Sequence, residues 1–222
     1  MCYVRDRPQD LDALETLLRE AAYVNDRNLM RRVATRIHGL SVERGQPLAR
    51  AISGTLLALD VPNAVIRARQ QLALRPSEAL IQYQAHRALL WGGHIPEARG
   101  VLERIAASSM PAHNILLAKL AQSCAEGGAG AKAIVNEMDK LPNVTLSGRW
   151  NSAMLAGDNS KAEELLKPLD EPNQLATLMQ FLVYPYFDTR YYPLLESRLQ
   201  AEGIGRRVPV RIPYACNPKT IG

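Results

Sequence analysis

A chain of 222 residues with 47% hydrophobic and 22% charged residues can bury a full core, which excludes a disordered tail or linker. Its net charge of +5 is spread along the sequence with one late cluster, unlike the concentrated patch of a nucleic-acid binder. Two Phe and two Trp beside abundant Leu and Ala favour helices over a β-sandwich. The first ten residues, "MCYVRDRPQD", hold no apolar segment, and no run of about 18 apolar residues follows, so neither a signal peptide nor a membrane span is expected. "LDALETLLREAAYV" then sets Leu11, Leu14, Leu17, Leu18 and Ala21 at the i, i+3, i+4, i+7 spacing of an amphipathic helix. "HNILLAKLAQSCA" does the same with Leu117, Leu120, Ala121 and Cys124. Between and after such first helices, second helices are expected at about residues 27–40, 62–74, 95–107, 130–140 and 159–167. "WGGHIPEARGVLERI" reads as a hinge between two of them. Gly92 and Gly93 end one helix, Pro96 sits in the first turn of the next, and Ala98 is small where helices approach. "EGGAGAKA" lacks the Gly-Lys-Ser/Thr ending of a phosphate loop and follows a helix, so it reads as another inter-helix turn with a glycine at positive φ.

Small or apolar residues recur five positions into each turn: Met30, Ala64, Ala98, Ala133 and Ala162, at intervals of 34, 34, 35 and 29. One hairpin cannot bury both its faces alone, so residues 1–170 are expected to form an all-α solenoid of about five stacked hairpins. These turns, with Pro76 placed 12 residues after Ala64, resemble the tetratricopeptide repeat. Thr55 stands where that repeat has a large residue, and Glu137 where it has an apolar one. The resemblance implies a right-handed α-solenoid whose first helices line a concave binding groove. Residues 171–204 are expected to add a capping pair, with a helix near 173–183, an aromatic turn and a helix near 191–202. "FDTRYYPLLESRLQAEGI" resembles the closing segment of tetratricopeptide sensor regions in bacterial transcriptional regulators and adenylate cyclases, with Thr189 where proline is usual. Residues 205–222 form a basic tail, kept from helicity by Pro209, Pro213 and Pro218. They alternate Val208, Val210 and Ile212 with other residues, arginines among them, and are expected to run extended along the solenoid.

Chemistry-bearing patterns are sparse. Cys2, Cys124 and Cys216 are odd in number and scattered, which reads as reduced thiols and a cytoplasmic protein, the alternative being a soluble periplasmic domain of a membrane-anchored regulator. His38, His86, His94 and His113 share no ligand spacing; His86 reads as a hydrogen-bonded, half-buried side chain. No Gly-x-Ser-x-Gly elbow is present, and Glu163 and Glu164 are adjacent on a helix and point apart. The chain therefore reads as a binding module rather than an enzyme, with no cofactor and no metal.

The resemblance places groove positions at Asp12, Glu15, Arg19, Arg50, Ser53, Tyr83, Arg87, Trp91, Lys119, Gln122 and Asn151. Arg50, Arg87 and Lys119 would stand on successive helices about 10 Å apart, suited to an acidic peptide or carboxylate, and Tyr83 and Trp91 are residue types enriched at binding hot spots. The lysine and asparagine clamp of chaperone-binding members is not reproduced. The expected function is protein–protein interaction, as a sensing or regulatory part of a bacterial system. A self-assembling scaffold using "FLVYPYF", residues 181–187, would instead give a homo-oligomer. A helical-repeat RNA binder would need one polar pair recurring in each unit, which Arg19, Ser53, Arg87, Gln122 and Asn151 do not form.

Overall fold

Helix starts are fixed by short-range chemistry. The Asp10 carboxylate accepts hydrogen bonds from the Asp12 and Ala13 amides at 3.0 and 3.2 Å, opening α1 (Leu11–Tyr23). Asp26 likewise accepts from Leu29 at 2.9 Å and opens α2 (Arg27–Glu43). In the computed structural model, which describes residues 9–45 and 48–216, there follow α3 (Ala49–Leu57), α4 (Val61–Leu74), α5 (Ala79–Trp91), α6 (Ile95–Ala106) and α7 (Ala112–Ala125). Then come α8 (Ala131–Lys140), α9 (Leu146–Ala156) and α10 (Asn159–Leu166). Thr145 and Asp158 cap α9 and α10, and prolines occupy the first turns of α4 and α6. The chain continues with α11 (Leu175–Met179), a 3₁₀ turn at Gln180–Val183, a second at Thr189–Tyr191, and α12 (Pro193–Ala201). Among the described residues there is no strand. The expected second helices lie within three residues of their observed limits.

All five hairpins turn in the same way. The residue at the turn adopts positive φ at Asn25 (55°), Leu59 (56°), Gly93 (75°), Gly127 (101°) and Gly157 (75°), the first four spaced 34 apart. The next amide then reaches back to a carbonyl five residues earlier: Asp26 to Ala21, Asp60 to Thr55, His94 to Leu89, Gly128 to Ser123 and Asp158 to Ala153. This is the C-terminal motif that satisfies the last carbonyls of a helix. Consecutive helices pack on one another, and the first helices of neighbouring hairpins also touch, α3 on α5, α5 on α7 and α7 on α9. Close approach is what Gly92 permits, since a Cβ there would lie 2.7 Å from Val65 Cγ2.

One repeat position, Ala133, is corrected. Met30, Ala64, Ala98 and Ala162 are buried as the fourth residue of their helices, but in the first turn of α8 the buried residue is Ala131, the first, and Ala133 is exposed. Gly130, at φ 84°, starts α8 in a different register from its counterparts. The Thr55 slot holds a polar network instead of a large apolar group. Thr55 is fully buried, accepts from the Arg67 guanidinium and donates to the Ala51 carbonyl at 2.6 Å, while Arg67 also donates to Thr35 at 2.9 Å.

The C-terminal segment does not remain at the end beyond α10. The largest core cluster runs from Val65 through Trp150 and Phe187 to Cys216, so the hairpins, the capping segment and the tail share one core. The turn Gln180–Val183 packs against α1, and Val183 joins the N-terminal cluster of Leu14, Leu18 and Ile37. The tail secures that return. Arg207 is buried and donates to the carbonyls of Leu182 and Ala22, the latter at 3.0 Å in the last turn of α1, where a cation meets the negative end of the helix dipole. Burial lowers its pKa to about 10. Val210 N–H donates to Pro185 and Cys216 N–H to Leu155. Residues 217–222 of the expected tail lie outside the described residues.

The cysteines correct the expectation of reduced thiols. Cys124 on α7 and Cys216 at the end of the described tail form a disulfide across 92 residues, with Cα atoms 4.6 Å apart. Cys2 lies outside the described residues. The premise for a cytoplasmic assignment falls with that pair.

Candidate functional site

The face formed by α5, α7 and α9 carries a cavity of about 260 Å³ with a polar lining. Arg87 projects into it from α5, surrounded by Tyr83, Tyr184, Tyr186 and Tyr214. The helices supply the first tyrosine and Asn151; the returned C-terminal segment supplies the other three. Tyr83 precedes Arg87 by one helical turn, so both point to one side. Tyr184 and Tyr186 arrive from the aromatic turn, and Tyr214 from the tail two residues before the disulfide.

Three of the four tyrosines, Tyr184, Tyr186 and Tyr214, pack on tryptophan rings. Tyr186 stacks on Trp150, with ring centroids 5.4 Å apart and planes 12° apart, and its hydroxyl donates to Asn151 Oδ1 at 2.6 Å. Asn151 in turn donates to the Ser147 carbonyl at 2.8 Å. Tyr214 meets Trp91 edge to face at 6.2 Å. Burial raises the pKa of Tyr83, carries that of Tyr214 to about 12 and holds Tyr186 well above the ordinary value, so these phenols stay protonated. Burial works against the charge of Arg87; what raises the guanidinium pKa is tyrosinate charge, which the protonated phenols do not carry at neutral pH. Arg87 Nη1 donates to Gln84 Oε1 at 3.0 Å, and Tyr214 lies beside the guanidinium. Among the described residues no carboxylate pairs with it.

His86 also lines the cavity and is fully buried. Its Nε2 lies 3.1 Å from Gln122 Oε1, and its Nδ1 has no partner among the described residues. Desolvation lowers its pKa to about 4, so the ring is neutral at pH 7.

The residues expected in a groove separate into groups. Tyr83, Arg87 and Asn151 meet in this cavity, and Trp91 supports it through Tyr214. Gln122 is buried; its amide donates to the Ile95 carbonyl at 3.2 Å and to Glu126, and its oxygen serves His86. Its position is therefore interior. Lys119 is exposed and lines a different depression with Arg99, Leu102 and Ile134, so it does not stand beside Arg87. Arg50 is ion-paired with Glu15 at 2.6 Å and with Asp12 at 3.4 Å. Ser53 is half-buried, its hydroxyl 3.4 Å from the Arg50 carbonyl, and Arg19 is exposed.

Tyr184, Tyr186 and Tyr214 were not among the expected site residues. No periodic signal marks them, because their place depends on the chain returning across the helices. That return also covers the segment expected to drive self-assembly: Phe181, Leu182, Tyr186 and Phe187 are buried within the chain, around Trp150. A larger cavity of about 420 Å³ shares Tyr186 and Ile212 with this one and is also lined by Trp150, Asp188 and Arg190, the last two paired at 2.6 Å. Compared with known proteins, the chain matches no family model, no curated protein and no solved structure.

Proposed function

We propose that this chain is a protein–protein interaction module of tetratricopeptide type. In this reading its five hairpins stack as a right-handed α-solenoid, and the α5, α7 and α9 face receives an acidic segment of a partner protein. The single observation that carries the reading is the Arg87 guanidinium, enclosed by four tyrosines in a cavity with no carboxylate against it among the described residues. A desolvated cation without a counter-charge is costly to a folded chain, and a partner's anion removes that cost on binding. Rigid aromatic walls add contact area at low entropic cost. The common turn at 34-residue spacing supports the repeat assignment. A sensing or regulatory role in a bacterial system accords with the resemblance of residues 171–204, and the disulfide favours the periplasmic over the cytoplasmic alternative.

The test is an array of acidic, neutral and basic peptides probed with the purified chain and with Arg87→Glu and Lys119→Glu. Acidic peptides should bind, Arg87→Glu should lose them, and Lys119→Glu should keep them, with helicity by circular dichroism unchanged in both. Equal capture by wild type and Arg87→Glu removes the proposal.

A further inference from the structure

The larger cavity, at about 420 Å³, falls within the size range of small-molecule sites. Its apolar lining is in part open to a ligand. Tyr191 is 46% exposed there, and Met154 of α9 and Val210 of the tail are half-buried. Behind them Phe187 stacks on Tyr192 at 5.1 Å and Tyr186 on Trp150 at 5.4 Å, which fixes the rings in place.

Tyr192, at the start of α12, brings an unused polar group to this space. The residue is only 2% exposed, and its hydroxyl has no hydrogen-bond partner among the described residues. The unpartnered side-chain atoms that lack all surface are His38 Nδ1, Gln82 Oε1 and His86 Nδ1. The Tyr192 hydroxyl is not one of them, so it keeps some surface, and the space that Tyr192 lines is this cavity. Buried phenols are seldom left without a partner.

The charges settle what that partner can be. Asp188 and Arg190 line the cavity but cancel each other, and Arg211 is exposed to solvent. Glu163 of α10 is half-buried, and its carboxylate has no hydrogen bond or ion pair among the described residues. Burial, and after it the negative charges of Glu163, Asp188 and Asp170, raise the Tyr192 pKa, Glu163 acting most strongly of the three. Asp170 is already engaged by the Leu194 and Leu195 amides at 3.1 and 2.9 Å. Glu163 is therefore the carboxylate left without a counter-charge. An anion would be repelled by it, and a neutral apolar molecule would leave both Glu163 and Tyr192 unserved.

We propose that this cavity binds a small organic ammonium ion, its charge on the Glu163 carboxylate, an N–H donated to the Tyr192 hydroxyl, and its carbon body against Tyr191, Met154 and Val210. Tyr191 also offers a ring face of the kind that attracts cations. The site needs neither Arg87 nor an acidic partner. A free amine and a lysine side chain of another protein share this chemistry.

Isothermal titration of the purified chain at pH 7 separates the two sources. Phenethylamine stands for the free amine and acetyl-lysine methylamide for the side chain; phenethyl alcohol and phenylacetate are the neutral and anionic counterparts. At least one of the two cations should bind, the alcohol about tenfold more weakly or worse, and phenylacetate not at all. Glu163→Gln removes a charge that the fold does not use and should weaken the bound cation about tenfold. Tyr192→Phe keeps the stacked ring, loses the hydroxyl and should weaken it severalfold. No binding of either cation up to roughly 10 mM overturns the proposal. So does equal binding of amine and alcohol, or a cation indifferent to both Glu163→Gln and Tyr192→Phe. Arg87→Glu should leave amine binding in place, so loss of acidic-peptide capture and loss of amine binding are separate failures.

Discussion

Breaking the Cys124–Cys216 bond is the most informative single perturbation of this fold, because it joins α7 to the end of a tail that forms one wall of the cavity. The bond closes a loop of 92 residues. Chain-entropy arithmetic for a loop of that length gives about 4.6 kcal/mol at 25 °C, and disulfides more commonly contribute about 2–4 kcal/mol. The double variant Cys124→Ser/Cys216→Ser, or the wild type in a dithiol reductant, should lose stability in that range. For an m-value near the upper end for small proteins, about 2–3 kcal/mol/M in urea, the midpoint falls by roughly 1 M or more. Thiol titration of the urea-unfolded, unreduced protein should find one reactive thiol, from Cys2, and three after reduction. Three thiols before reduction, or a urea midpoint indifferent to reductant and to the double variant, would refute the reasoning.

Other outcomes follow from single residues. His86 is held neutral with a pKa near 4, against about 6.5 unfolded, so between those values the unfolded chain binds the extra proton. Stability should therefore be full above pH 6.5 and fall by roughly 3 kcal/mol as the pH drops to 4, and His86→Gln should flatten that slope in urea titrations. An unchanged slope in the variant would assign the loss to other groups. Trp150→Ala removes a ring, 2% exposed, that contacts Phe181, Tyr184, Tyr186 and Phe187, and should cost about 3–5 kcal/mol by thermal or urea unfolding. Leu59 holds φ 56°, which side-chain sterics disfavour by about 1–2 kcal/mol. Leu59→Gly should thus raise the midpoint or leave it level, and a clear drop would contradict the turn geometry. Arg207→Ala should speed amide exchange at Val210 and Cys216, since the guanidinium pins the tail to Leu182 and Ala22.

Much of the helical order was legible because it is local. Apolar spacing at 3.6 residues per turn, prolines at Pro62 and Pro96 and the glycine at Gly93 each act within one or two turns of chain, and the second helices appear where those signals set them. Leu59 shows the same turn without any composition signal, so there the spacing was informative and the residue type was not. What escaped the sequence is long-range. Nothing near Cys124 indicates Cys216, and scattered cysteines of odd number argue against a pair until the tail is seen to return. Lys119 stands eight residues before the Gly127 turn and Arg87 six before Gly93, two positions out of register and about 200° around the helix, so one lies exposed over the second helices and the other inside the tyrosine cage. Tyr83 and Arg87 were found because they share a helix face; Tyr184 and Tyr214 join them only through a chain reversal that has no periodicity.

Hydrogen exchange with and without the tightest array peptide tests most directly whether recognition lies on the α5, α7 and α9 face. Binding there should slow exchange in those three helices and around residues 210–216, with the effect lost in Arg87→Gln. Slowing confined to α2, α4, α6 and α8, or unchanged by Arg87→Gln, would contradict the account.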